Sequence, residues 1–200
     1  MDYGAGNLHS VEKALRYLGA EVRRVTRPAE VDGINAMVLP GVGAFDDCIH
    51  ALQRQELVEA VRRFISTGKP FLGICVGYQA LFERSDEFNS CAMGLGLFQG
   101  RVVRFSGAGG LKVPQIGWNQ LSLPRADCPL FRDIPNGSYA YFVHSFYPKP
   151  IDRSIVAAET EYGETFASAI WQENVYATQF HPEKSQKVGL QILQNFIGLS

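Results

Sequence analysis

The segment Lys69-Pro70-Phe71-Leu72-Gly73-Ile74-Cys75-Val76-Gly77-Tyr78-Gln79-Ala80-Leu81-Phe82 constrains the fold more than any other part of the chain. A short apolar run meets a glycine-flanked cysteine and then becomes helix-compatible, which reads as strand, sharp turn, helix. Cys75 then sits on a tight bend at the carboxyl end of a buried strand. Gly73 and Gly77 leave room for strained backbone and for close approach of a substrate. A thiol just before a helix also faces unsatisfied N–H groups and the positive end of the helix dipole, which favour its thiolate. A lone cysteine in apolar sequence is ordinarily a small buried hydrophobe, so a reactive reading of Cys75 requires a base elsewhere in the chain.

The flanking sequence supplies the layers that such a strand needs. Leu8, Val11, Leu15 and Leu18 recur at helical spacing, with Asn7 as the expected cap and Gly19 as the stop. Glu21 to Val25 is a short strand candidate, and Ala36 to Leu39 is a surer one that ends abruptly at Pro40-Gly41-Val42-Gly43. Two helical stretches follow, one with Ile49 and Leu52, the other with Leu57, Val58, Val61, Phe64 and Ile65, closed by Gly68. Strands alternating with helices imply crossovers and a parallel sheet, whose ligands bind beyond the carboxyl ends of the strands. Both Gly41-Val42-Gly43 and Cys75 fall on that edge. Beyond residue 84 the pattern becomes strand-rich, with candidates at Arg101 to Phe105, Tyr139 to Ser145, Ser154 to Ala158, Phe166 to Trp171 and Val175 to Phe180. The last three are spaced for antiparallel pairing, and Val188 to Ile197 has the period of an amphipathic helix. The expected fold is therefore α/β, with an open, mostly parallel central sheet flanked by helices and added antiparallel strands in the C-terminal half.

With 200 residues, 46% of them hydrophobic, the chain is expected to form one domain over residues 1–200. A formal net charge of −1 without any Lys/Arg run argues against nucleic acid or an anionic membrane as partner. Cys48, Cys75, Cys91 and Cys128 show neither disulfide-framework nor metal-ligand spacing, which fits a reducing, cytoplasmic setting. No apolar run approaches the roughly 18 residues of a spanning helix, and no leader pattern opens the chain. The Gly107 to Gly110 cluster lacks the Lys-Ser/Thr ending of a phosphate loop and reads as a turn.

Four histidines compete for the role of base. His9 and His50 fall in helical stretches. His144 lies in the aromatic strand Tyr141-Phe142-Val143-His144-Ser145-Phe146, where a structural histidine is the simpler reading, although it stays a candidate. His181 ends the apolar strand Val175 to Phe180 and precedes Pro182 and Glu183. In extended backbone His181 and Glu183 project to one side, so the carboxylate orients the imidazole. Cys75, His181 and Glu183 then form a nucleophile, base and orienter.

These residues resemble the class I (triad) glutamine amidotransferases, which carry Gly-x-Cys-x-Gly and a distal His-Pro-Glu. More narrowly, the chain resembles the family of glutaminase subunits that serve imidazole glycerol phosphate synthase in histidine biosynthesis. The matching stretches are Asp2 to Asn7, Leu39 to Phe45, Gly73 to Gln79, Gly117-Trp118-Asn119, Tyr141 to Ser145 and Gln179 to Ser185. The resemblance implies that Cys75 attacks the side-chain amide of glutamine, with His181 as acid/base and Glu183 behind it. Backbone amides of Gly41, Val42, Gly43 and Val76 would hold the oxyanion, and Gln79 would lie on the glutamine side. It further implies ammonia transfer to a separate cyclase subunit, a (β/α)8 barrel, with Asn7, Trp118, Tyr141 and Lys184 near that interface, and it calls for no cofactor or metal. Only Met1 precedes Asp2-Tyr3-Gly4, so the first sheet strand is expected to be shortened, and Pro114-Gln115-Ile116 replaces the family's more usual Pro-His-Met. The two glycines after Pro40 allow the loop to turn a peptide unit and so to act as a switch.

Overall fold

The structure, a computed structural model, describes residues 1–4 and 8–200. Asn7, expected as a helix cap and interface residue, lies outside the described residues. The strands are β1 (Met37–Gly41), β2 (Phe71–Cys75), β3 (Phe82–Ser85), β4 (Phe98–Arg104), β5 (Gln115–Gln120), β6 (Tyr139–His144), β7 (Phe146–Pro150), β8 (Val156–Glu161), β9 (Thr165–Gln172) and β10 (Val175–Thr178). The α-helices are α1 (Leu8–Tyr17), α2 (Phe45–Arg54), α3 (Leu57–Ser66), α4 (Val76–Gln79) and α5 (Gln186–Ile197).

The central sheet has the order β1-β2-β10-β9-β8. β1, β2 and β10 run parallel, while β9 and β8 are antiparallel additions. β2 is buried at every position because it has strands on both edges and helical packing around it, which is why it reads as an unbroken apolar run. α2 and α3 cross from β1 to β2, and they bury Phe45, Cys48, Ile49 and Leu52, then Leu57, Val61 and Phe64, on single stripes. β3, β4 and β7 form a second sheet, and β5 with β6 forms a two-stranded ribbon. Phe105, Phe142, Tyr147 and Phe166 stack edge to tilt in the core between these layers. No helix among the described residues is long and apolar enough to cross a membrane.

Three sequence expectations change. Residues 21–25 form no strand; the Val25 carbonyl accepts the Asp2 amide, while the amino terminus of Met1 bonds the Val38 carbonyl. The helical stretch after Cys75 stops at Gln79, because the carbonyls of Ala80, Leu81, Phe82 and Glu83 are taken by amides of residues 94–98. Gly94 packs so tightly there that a methyl group would run into the Phe82 carbonyl. Finally β3, β5 and β7 were not expected as separate strands; β5 reads Gln-Ile-Gly-Trp-Asn-Gln and β7 carries two prolines, so neither shows an apolar alternation.

Candidate active site

Cys75 closes β2 with φ 56° and ψ −111°, a conformation that L-residues avoid. Such backbone costs on the order of 1–3 kcal/mol and persists only where its surroundings impose it. The surroundings here are three glycines. A methyl at Gly77 would run into the Leu39 carbonyl, one at Gly73 would lie 2.9 Å from the Gly77 carbonyl oxygen, and one at Gly41 would collide with Gly77 and Val76. The ends of β1, β2 and the start of α4 are thus packed backbone to backbone.

β10 lies beside β2 in parallel register, with Thr178 opposite Ile74, so the chain that follows runs past the same edge as Cys75. There the His181 amide donates to the Tyr141 carbonyl, and the Ser185 hydroxyl donates to the His181 carbonyl while accepting from the Tyr141 amide. His181 Nδ1 is 2.8 Å from Glu183 Oε1, and both side chains are almost fully buried. The expectation of a continuous strand through these residues is corrected: Pro182–Lys184 is a 3-10 turn started by proline, and the two side chains meet across it. Among the described residues His181 Nε2 meets no partner at full hydrogen-bond geometry, and the Cys75 thiol is the neighbour that interacts with the imidazole. Burial lowers the imidazole pKa, but interactions with Cys75 and then Glu183 outweigh it and raise it to about 9.

His144 is a different kind of histidine. Burial lowers its pKa to about 4, the carbonyl of Phe146 binds Nδ1 at 2.8 Å, and its ring sits among Phe105, Phe142 and Phe166. It is held neutral and has no carboxylate partner among the described residues, so the geometry favours His181 as the base.

A cavity of about 410 Å³ opens over Cys75, lined by Val42, Gly43, Val76, Gln79, His144 and His181 among others. Gly41 ends β1 and leads into Val42 and Gly43, which line the cavity, while Gly41 itself does not. Gly43 has φ 88° with open space around its α-carbon. The cavity wall also includes Glu87, Pro114, Val143, Ser145 and Phe146, none of which was singled out as a site residue from sequence. Glu87 accepts the Phe45 amide, and burial raises its carboxyl above the ordinary carboxylate value. Gln179 was also missed; its Nε2 lies 3.7 Å from Cys75 Sγ. Its one sequence signal is a polar residue at the end of an apolar strand.

Trp118, Tyr141 and Lys184 come together beside the cavity mouth. Trp118 and Tyr141 are cross-strand partners with ring centroids 6.0 Å apart in a T-shaped contact, and Lys184 Nζ lies 6.0 Å from the Tyr141 centroid. On the same ribbon Ile116, Trp118 and Tyr139 are 63%, 46% and 52% exposed. Among the described residues no cluster of three His, Cys, Asp or Glu is arranged to hold a metal ion.

The class I glutamine amidotransferase family model matches residues 1–199. The chain is 50% identical to imidazole glycerol phosphate synthase subunit HisH of Syntrophotalea carbinolica, covering 98% of this chain and 97% of that protein. Identity is also 50% to the HisH subunit of Thermosynechococcus vestitus, over 100% of this chain and 95% of that one. Among solved structures, PurLQS from Thermotoga maritima superposes with a TM-score of 0.78 at 20% identity, covering 98% of this chain and 94% of that chain, which bears on fold alone. A strained cysteine elbow beside a buried His–Glu pair, in a chain that matches this family from end to end, leads to one assignment: the chain belongs to the class I glutamine amidotransferases, in the group of the imidazole glycerol phosphate synthase HisH subunits.

Proposed function

We infer that the chain is the glutaminase subunit of imidazole glycerol phosphate synthase, hydrolysing glutamine to glutamate and ammonia and delivering the ammonia to the cyclase subunit in histidine biosynthesis. The observation that carries the chemistry is the buried His181–Glu183 pair facing Cys75 across the cavity floor. The Cys75 thiolate attacks the amide carbon of the glutamine side chain. The resulting oxyanion is met by the Val76 amide and by amides of the Val42-Gly43 loop, a type of contact worth about 2.7–4 kcal/mol per donor. Imidazolium His181 gives its Nε2 proton to the departing nitrogen, ammonia leaves, and a glutamyl thioester remains. Neutral His181 then takes a proton from water; the hydroxide displaces the sulfur, and glutamate and the thiolate are restored. Glu183 accepts from Nδ1–H throughout and keeps Nε2 toward the reacting atoms. Glu87, in the cavity wall, has the charge to receive the α-ammonium group of glutamine.

The partner reading rests on the exposed ribbon face of Ile116, Trp118 and Tyr139 beside Tyr141 and Lys184. Aromatic residues with a basic neighbour are the usual anchors of a protein interface. The test is release of glutamate and ammonia from glutamine by the chain together with its cyclase subunit. Turnover is expected with the native chain and is expected to vanish in Cys75→Ser; glutamine turnover by that variant at the native rate would overturn the assignment.

A further inference from the structure

A buried run of amides leads from a backbone carbonyl to the sulfur of Cys75. The carbonyl oxygen of Phe146 can only accept, so the group of Gln79 that lies 3.1 Å from it is the side-chain nitrogen. The second N–H of that nitrogen reaches Gln179 Oε1 at 3.2 Å. Gln179 Nε2 is thereby turned to Cys75 Sγ at 3.7 Å. Oxygen and nitrogen of a side-chain amide are ordinarily hard to tell apart, but here each assignment follows from the one before it. Gln79 and Gln179 are 3% and 0% exposed, so water does not compete with the chain of donors.

A neutral thiol is a weak acceptor, whereas a thiolate accepts a charge-assisted hydrogen bond. A fixed N–H aimed at the sulfur in a buried site therefore favours the charged form over the neutral one. We propose that Gln179 holds Cys75 as the thiolate by donating from Nε2, and that Gln79 and the Phe146 carbonyl are positioning groups that lock the Gln179 amide in the donating orientation. This rests on Cys75 being the nucleophile, and adds a residue that neither the triad nor the cavity wall contains. Gln179 touches the sulfur without lining the cavity, so its loss should act on the reactivity of Cys75 and leave glutamine binding alone.

The experiment is the pH dependence of iodoacetamide alkylation of the full chain, read by peptide mapping at Cys75 and at the exposed Cys91 as internal control. In Gln179→Met, which keeps length and packing, the midpoint of Cys75 alkylation is expected to move up by about one pH unit, with labelling at pH 7 slowed up to about tenfold. The Cys91 curve should stay in place. In the glutaminase assay the same variant should lose kcat and keep KM. Gln79→Met should shift the Cys75 midpoint in the same direction by less. Because a buried substitution can impair folding, the native chain provides a second reading: the side-chain amide resonances of Gln179 should follow the Cys75 midpoint in a pH titration. A Cys75 in the native chain that alkylates no faster than a free thiol would remove the nucleophile reading itself. A reactive Cys75 whose midpoint is the same in native and Gln179→Met protein, or a Gln179 amide blind to the titration, would overturn the role given to Gln179 and leave the triad standing.

Discussion

His144 and His181 are both buried and sit within reach of one cavity, yet their neighbours drive them apart. Removing His181, which has Cys75 and Glu183 as partners, should cost glutamine turnover about 10⁴-fold in His181→Ala, measured as steady-state kcat with the cyclase subunit present. A smaller loss than in His144→Ala would reassign the base. His144 has a stability consequence instead. Its folded pKa of about 4 lies below the ordinary histidine value of 6.5, so its neutral form supports the fold fully above pH 6.5, and that support is lost as pH falls through 4. The difference amounts to about 3 kcal/mol at the acid end. His144→Phe, which suits the aromatic cluster around it, should therefore lose less stability than the native chain in denaturant titrations between pH 7 and 4. Parallel stability–pH curves for the two proteins would contradict this account. Glu87→Gln belongs to the same scale: it should raise KM for glutamine with little change in kcat, and an unchanged KM would place the substrate ammonium elsewhere.

Among the elements, the glycines at the edge of the sheet divide into two kinds with different expected behaviour. Gly77 is needed for space, since its α-carbon lies against the Leu39 carbonyl, and Gly77→Ala should cost about 3 kcal/mol or more because the clash is with backbone that cannot rotate away. Gly43 has open space but a φ of 88°, so Gly43→Ala strains only its own loop. If that loop turns a peptide between active and inactive orientations, the variant should melt near the native temperature yet show a blunted rise in glutaminase rate from isolated chain to complex to complex with acceptor ligand. A shift of about 2.7 kcal/mol between the two orientations changes their ratio roughly a hundredfold. An unaltered activation ratio in Gly43→Ala would move the switch to another element. The same scale explains what was legible in sequence. β1, β2 and β10 announce themselves as apolar runs because nearly all of their positions are buried, and the Gly–Cys–Gly spacing announces the elbow. β3, β5 and β7 lie on smaller sheets, carry Arg, Gly and Pro, and are held by partners distant in sequence. The pairing of His181 with Glu183 was readable, but the turn that achieves it depends on Tyr141 and Ser185, and Gln179 becomes a neighbour of Cys75 only once β10 lies against β2.

At the scale of the whole molecule, the cavity and the exposed ribbon share one side, so product leaves next to the surface read as the docking face. Trp118→Ala should weaken association with the cyclase subunit by roughly thirtyfold or more, the scale of a buried aromatic anchor, while leaving the isolated chain folded. Sedimentation or calorimetry giving the native affinity would displace the interface from this ribbon. The order of the central sheet has a consequence in time. β10 is among the later segments of the chain, yet it is inserted between β2 and β9 and leads into His181, the proposed base, beside Cys75. A chain still being translated displays Cys75 long before it possesses His181, so the proposed triad is complete only when residues near 183 have joined the sheet.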